Sequence, residues 1–386
     1  MNIILTVGIL LVIVAFLTRK SKSAPLIGFA FVFLIMGFQS NVEGDFIGYM
    51  DEYNLTALSH EADSRTIEDE PIMPFFMQLF SSFSPWWFFV MALSAIECGI
   101  LVKFIKKYSF GPYIYLAAIL FFFSFNMMLM QMKAMRQGLA IELMLLSFMM
   151  ADSKKKKWRA IVFAVLAYLT HNSALVIVPF FFLYFFVNIK LQWFEKRFSH
   201  HKKSGKKIPG NLLPVIIVGV YFVLYIVKVR FLNQYLLPLM VLTGGEGNRL
   251  ASYAESSGTV ESLDTNLFEI SPLIVLFDAI IVFLVTQYYK NADVRMKIFC
   301  IISVAAAFGD MLFFGTGSFA RIIMYYVVFN LVVYPAVVLD VLRRYGKTYA
   351  LAFIVLLVGY AIKTSLPWMT GVSDGRFGTY QFVFMP

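Results

Sequence analysis

The chain has 386 residues and a formal net charge of +10; 60% of its residues are hydrophobic, 17% aromatic and only 15% charged, with a mean hydropathy of +0.76. A water-soluble surface needs about 25% charged residues, so soluble enzymes, secreted disulfide scaffolds and nucleic-acid binders are set aside in favour of an integral membrane protein. In such a protein the positions of the basic residues carry more information than their sum, because they record orientation.

Apolar segments of a length that crosses a hydrocarbon core as helix run over about 2–18, 24–40, 84–102, 109–127, 134–151 and 160–171, then about 172–189, 211–231, 267–289, 298–314, 322–341 and 350–366. The expected fold class is therefore all-α: a single polytopic domain over 1–386 with about twelve transmembrane helices, the short ones half-length or re-entrant. Six basic clusters (Arg19 to Lys22, Lys103 to Lys107, Lys154 to Arg159, Lys190 to Lys207, Lys290 to Lys297, Arg343 to Lys347) hold 24 of the 33 Lys and Arg residues and fall after every second span. The positive-inside rule puts those loops in the cytoplasm and both termini outside. No basic stretch precedes the first apolar run, so a cleaved signal peptide is not expected. Residues 160–189 are apolar between two basic clusters. An up-and-down pair returns both clusters to one side and puts Thr170, His171, Asn172 and Ser173 at its outer turn. Cys98 and Cys300 lie inside apolar runs and read as packing residues.

The outer loops have the opposite charge. Residues 41–73 hold nine acids against one base, Arg65, a net −8. The second long loop, 232–266, contains Gly244, Gly245, Gly247 and Gly258 and reads as a flexible flap. In the acidic loop, Asp45, Tyr49, Glu52 and Tyr53 share one face of a helix. Carboxylates accept hydroxyl protons and aromatic rings pack on sugar faces, so this is a candidate sugar-binding wall with Asp45 nearest the membrane. A solvated acidic loop is the plainer alternative. Glu70-Pro71 then leads into an apolar stretch ending at Ser84-Pro85-Trp86-Trp87, the pattern of a helix lying in the outer interface. Glu70 either faces the same cavity as Asp45 or caps that helix.

Lys133, Arg136, Gln137 and Ala140 recur at helical spacing at the outer end of the fifth span. Positive charge on that side calls for a reason. An anionic ligand supplies one, since guanidinium makes bidentate contacts to phosphate; snorkelling to headgroups, or pairing with Glu142 or Asp45, supplies another. Arg321 repeats the pattern after the Gly315-Thr316-Gly317 turn. His171 suits phosphate binding, proton shuttling or capping of its turn. Glu97, Glu142, Asp278 and Asp310 fall within spans, where acids face an aqueous cavity or a partner, or carry protons. Read as an ion pathway, they lack the intramembrane Lys partners and broken-helix repeats of a transporter.

Taken together, Asp45-x-x-x-Tyr49, Glu70-Pro71, Arg136-Gln137-x-Leu139-Ala140, His171-x-Ser173-Ala174-Leu175 and Arg321-x-x-x-Tyr325 resemble the EpsG-like family of bacterial exopolysaccharide proteins, Wzy-type polymerases of O-antigen and capsule. The resemblance covers about 40 to 330. It implies transfer of a glycan from an undecaprenyl-diphosphate-linked donor to a lipid-linked acceptor at the outer face of the cytoplasmic membrane. The partners implied are those two substrates, membrane lipids and a chain-length regulator, with no nucleic acid. On that resemblance Lys133, Arg136, Gln137 and Arg321 bind the diphosphate, and Asp45, or else Glu70 or His171, takes the acceptor proton. Tyr49, Tyr53 and Tyr325 face sugar. No cofactor or metal site is expected, although the number of loop acids permits a divalent cation. The competing readings are a polyprenyl-phosphate-sugar glycosyltransferase of the GT-C kind and a flippase for the same lipid-linked oligosaccharide.

Overall fold

The computed structural model describes residues 3–40, 45–59, 70–109, 111–153, 157–197, 212–231, 272–312, 321–369, 380 and 382–384. Among these the chain is helical, with one isolated bridge between Gln39 and Phe382, so the all-α expectation holds. It divides into two compact units, 1–197 with 330–386, and 198–329.

The first unit opens with α1 (Ile3–Leu17) and α2 (Ala24–Gly37). Then come α3 (Asp45–Ser59), α4 (Ile72–Ser81), α5 (Trp86–Tyr108) and α6 (Leu116–Phe122). A π-helical turn over Phe125–Leu129 leads to α7 (Met130–Lys133), α8 (Met135–Ala151) and α9 (Lys157–Thr170). A 3-10 turn, Asn172–Ile177, precedes α10 (Val178–Arg197). The second unit holds α11 (Leu212–Phe231), α12 (Pro272–Tyr289), α13 (Val294–Leu312) and the short α14 (Met324–Val327). The chain then returns to the first unit as α15 (Asn330–Tyr345) and α16 (Lys347–Met369).

Two helices, Trp86–Tyr108 and Lys347–Pro367, are long and apolar enough to cross a membrane, and two broken pairs, Leu116–Phe122 with Met127–Lys133 and Arg321–Val327 with Asn330–Tyr345, raise the number to four. Others are shorter than the apolar runs suggest. The 14 residues of α2 cover roughly 21 Å, less than a hydrocarbon core of about 30 Å. The run expected at 109–127 is displaced. Gly111 takes φ +92° and Pro112 follows it, a combination that stops a helix. The span therefore starts at Leu116, bends by 53° at the π-helical turn and ends at Lys133.

Local chemistry fixes the helix ends that matter. Pro85, extended, starts α5, and Lys106 and Lys107 in its last turn complement the helix dipole. Ala134 leaves the helical region (φ −97°, ψ 64°) and separates α7 from α8, so Arg136 and Gln137 fall in the first turn of α8. α9 stops at Thr170 because His171 is extended (φ −159°, ψ 122°), so the break falls at the polar run picked out in the sequence. Amphipathic α4 buries Met73, Pro74 and Met77 while Phe75 and Leu79 stay exposed, and it is braced by α3 and α9. α3 is also held to α5 by rings: Tyr53 lies 5.4 Å from Trp86 and 5.3 Å from Phe89, and Phe46 lies 5.4 Å from Trp86. Gly28 permits the close approach of α2 to α6, since a Cβ there would stand 2.5 Å from that of Ala118. The C-terminal segment returns to α2: Tyr380 Oη donates to the Ile35 carbonyl at 2.6 Å and the Val383 N–H to that of Phe38 at 2.9 Å.

In the second unit α11, α12 and α13 share a core of Tyr221, Val275, Ala279 and Met311. Tyr221 Oη donates to Asp278 Oδ2 at 3.1 Å, so one of the acids expected within the apolar runs has a phenol partner. Of the expected flap at 232–266 and the acidic stretch 60–69, all lies outside the described residues.

Candidate functional site

The packing of α4 between α3 and α9 sets the site. Glu70, the residue before Pro71 and α4, is thereby placed between Tyr49 of α3 and the turn after α9, with the first turn of α8 alongside. Its carboxylate is 8% exposed and fully engaged. Oε1 accepts from His171 Nδ1 at 2.5 Å and from the Asn172 backbone N–H at 3.0 Å, while Oε2 meets Arg136 Nη1 at 3.1 Å. Arg136 then donates through Nε to Tyr49 Oη at 3.1 Å and lies over that ring at 5.2 Å. Residues widely separated in the sequence thus form one continuous set of hydrogen bonds.

Burial alone would raise the Glu70 carboxyl. The hydrogen bond and charge of His171, the Asn172 N–H and the charge of Arg136 together outweigh it and hold the group below its ordinary value. An ionised carboxylate only accepts, so His171 Nδ1 carries the proton of their shared bond. In the neutral ring Nε2 is then left with its lone pair, in the manner of a histidine oriented by an acid. The Arg136 side chain is 25% exposed, and its place in the first turn of α8 adds the partial positive charge of a helix start. The arrangement combines an oriented imidazole with a reachable guanidinium, which equips it to move a proton beside a phosphate.

The other expected site residues lie as follows. Asp45 begins α3, one turn before Tyr49, and is partly exposed. Tyr53 is in the core, its hydroxyl given to the Ser84 carbonyl at 2.8 Å, so its work is to hold α3 to α5. Lys133 and Gln137 are buried in the helix layer beside the site. Arg321 and Tyr325 belong to the second unit: Arg321 opens a turn and is half-buried, and Tyr325 is buried. Sequence reasoning selected Glu70, Arg136 and His171 separately and missed that Glu70 joins them, that the Asn172 N–H takes part, and that Tyr49 serves Arg136. The pairing of an acid with a basic residue at similar expected depth was the available signal. Among the described residues no group of three or more His, Cys, Asp or Glu side chains is placed to hold a metal ion.

A family model described as the EpsG family matches residues 22–367, a range that contains every residue of the cluster. No curated protein and no solved structure matches the chain.

Proposed function

Because the chain belongs to the EpsG family, which is associated with polysaccharide polymerisation in membranes, we propose that it is a Wzy-type polymerase joining undecaprenyl-diphosphate-linked repeat units at the outer face of the cytoplasmic membrane. The observation that carries this reading is the Glu70 carboxylate bridging His171 and Arg136. In the transfer, the acceptor hydroxyl oxygen bonds to the donor's anomeric carbon as the bond from that carbon to the diphosphate breaks. His171 Nε2 takes the hydroxyl proton, and Glu70 holds the ring and stabilises the imidazolium. Arg136 meets the charge that grows on the departing lipid diphosphate, worth about 2–4 kcal/mol per preorganised contact. The diphosphate competes with Glu70 and Tyr49 for that guanidinium, so donor binding weakens the Glu70–Arg136 pair and leaves Glu70 to His171. Asp45 is the alternative base, one turn along α3. Arg321 keeps the phosphate role that the resemblance gives it, whereas Tyr325, 1% exposed, is too buried to face sugar.

Twelve crossings with both termini outside remain the proposed topology, and the charge distribution supports it. Lys107, in a cluster assigned to the cytoplasm, pairs with Asp152 just past the far end of α8 from Arg136. The exposed face of α4 suits the lipid interface, and a chain-length regulator is a proposed partner. The direct test is reconstitution with a defined undecaprenyl-diphosphate repeat unit and mass analysis of the product. A ladder of multiples is expected. Single units moved across the bilayer without joining would indicate a flippase instead, and a single sugar added from a polyprenyl monophosphate a GT-C enzyme.

A further inference from the structure

Toward the middle of α8 lies a second group of acids that the proposed transfer does not use. Glu142 is 0% exposed and Glu97, on the neighbouring α5, 2%. Gly138 makes room for them: a Cβ at that position would stand 3.1 Å from Glu97 Oε1 and 3.4 Å from the Cβ and Cγ of Gln131. Gln131, 2% exposed, donates through Nε2 to Glu142 Oε1 at 3.4 Å. Three side chains from α5, α7 and α8 are thus drawn together. Each keeps one buried oxygen without a hydrogen-bond partner among the described residues: Glu97 Oε1, Glu142 Oε2 and Gln131 Oε1.

The charge balance points the same way. Among the described residues no ion pair engages either carboxyl. The charged residues that do pair on the neighbouring helices are engaged elsewhere, Lys107 with Asp152, Arg136 with Glu70 and Arg344 with Asp340. Two uncompensated carboxylates at such depth are not tolerated by a fold, and unsatisfied oxygens attract a positive ligand. Ca²⁺ takes six or more oxygen ligands and Mg²⁺ a near-ideal octahedron, which three free oxygens do not supply. We infer that Glu97, Glu142 and Gln131 form a buried site for one monovalent cation, filled either by a proton shared between the carboxyls or by a dehydrated sodium ion. The site lies within α8, roughly 9 Å along the axis from Arg136 at 1.5 Å per residue, so its occupancy sets the packing of the helix that presents the guanidinium.

The test uses the full chain purified in lipid nanodiscs. Its unfolding temperature is followed against sodium, with N-methyl-D-glucamine replacing it at fixed ionic strength, and in sodium-free buffer against pH from mildly acid to alkaline. A sodium ion bound only by the folded protein raises the midpoint along a single-site saturation curve. A proton held in the fold and released on unfolding stabilises at low pH and is lost as pH rises, so the midpoint falls toward alkaline pH. Either result in the wild type, abolished in Glu97→Gln/Glu142→Gln, supports the site, and the responding series names the occupant. A wild type flat in both series, or a response that survives in the double variant, overturns it. Should the double variant fail to fold, the Glu97→Gln and Glu142→Gln single variants, each lacking one ligand, carry the comparison: a reduced response supports the site and an unchanged one overturns it.

Discussion

The two ends of α8 carry the same chemistry to different purposes. At the Arg136 end an acid is bonded to a histidine, an arginine and a backbone N–H, and the arginine to a phenol. Past the other end Asp152 accepts from Tyr184 Oη and Tyr108 Oη, each at 2.7 Å, and pairs with Lys107 at 2.9 Å. Lys107 also donates to the Met149 carbonyl. In the second cluster the two phenol oxygens lie 3.2 Å apart, both protons are spent on the carboxylate, and the contacts tie together the helices they connect. The first cluster leaves groups unfilled: His171 is 31% exposed, and Asn172 Oδ1, although buried, has no hydrogen-bond partner among the described residues. An acid whose partners are two buried phenols and a lysine clamps helices, whereas one that orients an exposed imidazole beside a guanidinium at a helix start is suited to receive a substrate. The same residue types therefore serve as a fastener or, in the proposed reading, as a reaction centre according to what is left over after packing.

The sharpest way to break this comparison is His171→Ala, expected to lower the rate of polymer formation by about 10²- to 10⁴-fold, the range of a positioned proton acceptor, with the protein still folded in the membrane. A rate within a few-fold of wild type would shift the base to Asp45, which Asp45→Asn then tests. Arg136→Ala should lower the specificity constant by about 30- to 1,000-fold, from the loss of roughly 2–4 kcal/mol at the diphosphate. At the opposite end Asp152→Asn should reverse the pattern. Unfolding stability falls by about 1–3 kcal/mol, since a hydrogen bond to a charged acceptor contributes about 1.5–3 kcal/mol and a neutral one about 1 kcal/mol, and the partly exposed Lys107 pair adds little, while turnover per folded molecule stays the same. A smaller effect is expected on the acid side. Because the Glu70 carboxyl lies below its ordinary value of 4.5, the stability it contributes is complete above that pH and is lost as pH falls through its lowered folded value. A stability–pH curve should therefore be flatter for Glu70→Gln below about 4.5. Tyr49→Phe keeps the ring under Arg136 and removes one hydrogen bond, so less than a tenfold loss is expected in the same rate assay.

Much of this was legible in the sequence because polar residues inside apolar runs are few and conspicuous. The helical class, the break at His171 and the choice of Glu70, Arg136 and His171 as candidates came from composition, spacing and charge. The joining of those residues did not, because it depends on α4 tucking between α3 and α9, a tertiary arrangement that no local spacing encodes. Tyr53 shows the converse. Its spacing with Tyr49 suggested a shared sugar-binding face, yet one turn of helix was enough to put it among Trp86 and Phe89. The 109–127 run was misplaced because hydropathy averaged over Gly111 and Pro112, whose backbone preferences delay the helix. Gln131 received no role from the sequence, since an amide between two methionines carries no charge signal.

The central claim is that glycan transfer takes place at the Glu70-bridged cluster. It is tested most directly by the product-length distribution formed in proteoliposomes from one defined undecaprenyl-diphosphate repeat unit, compared among wild type, Arg136→Ala and Asp152→Asn. The account predicts ladders from the wild type and Asp152→Asn, and little beyond single units from Arg136→Ala at equal protein. A full ladder from Arg136→Ala would contradict it.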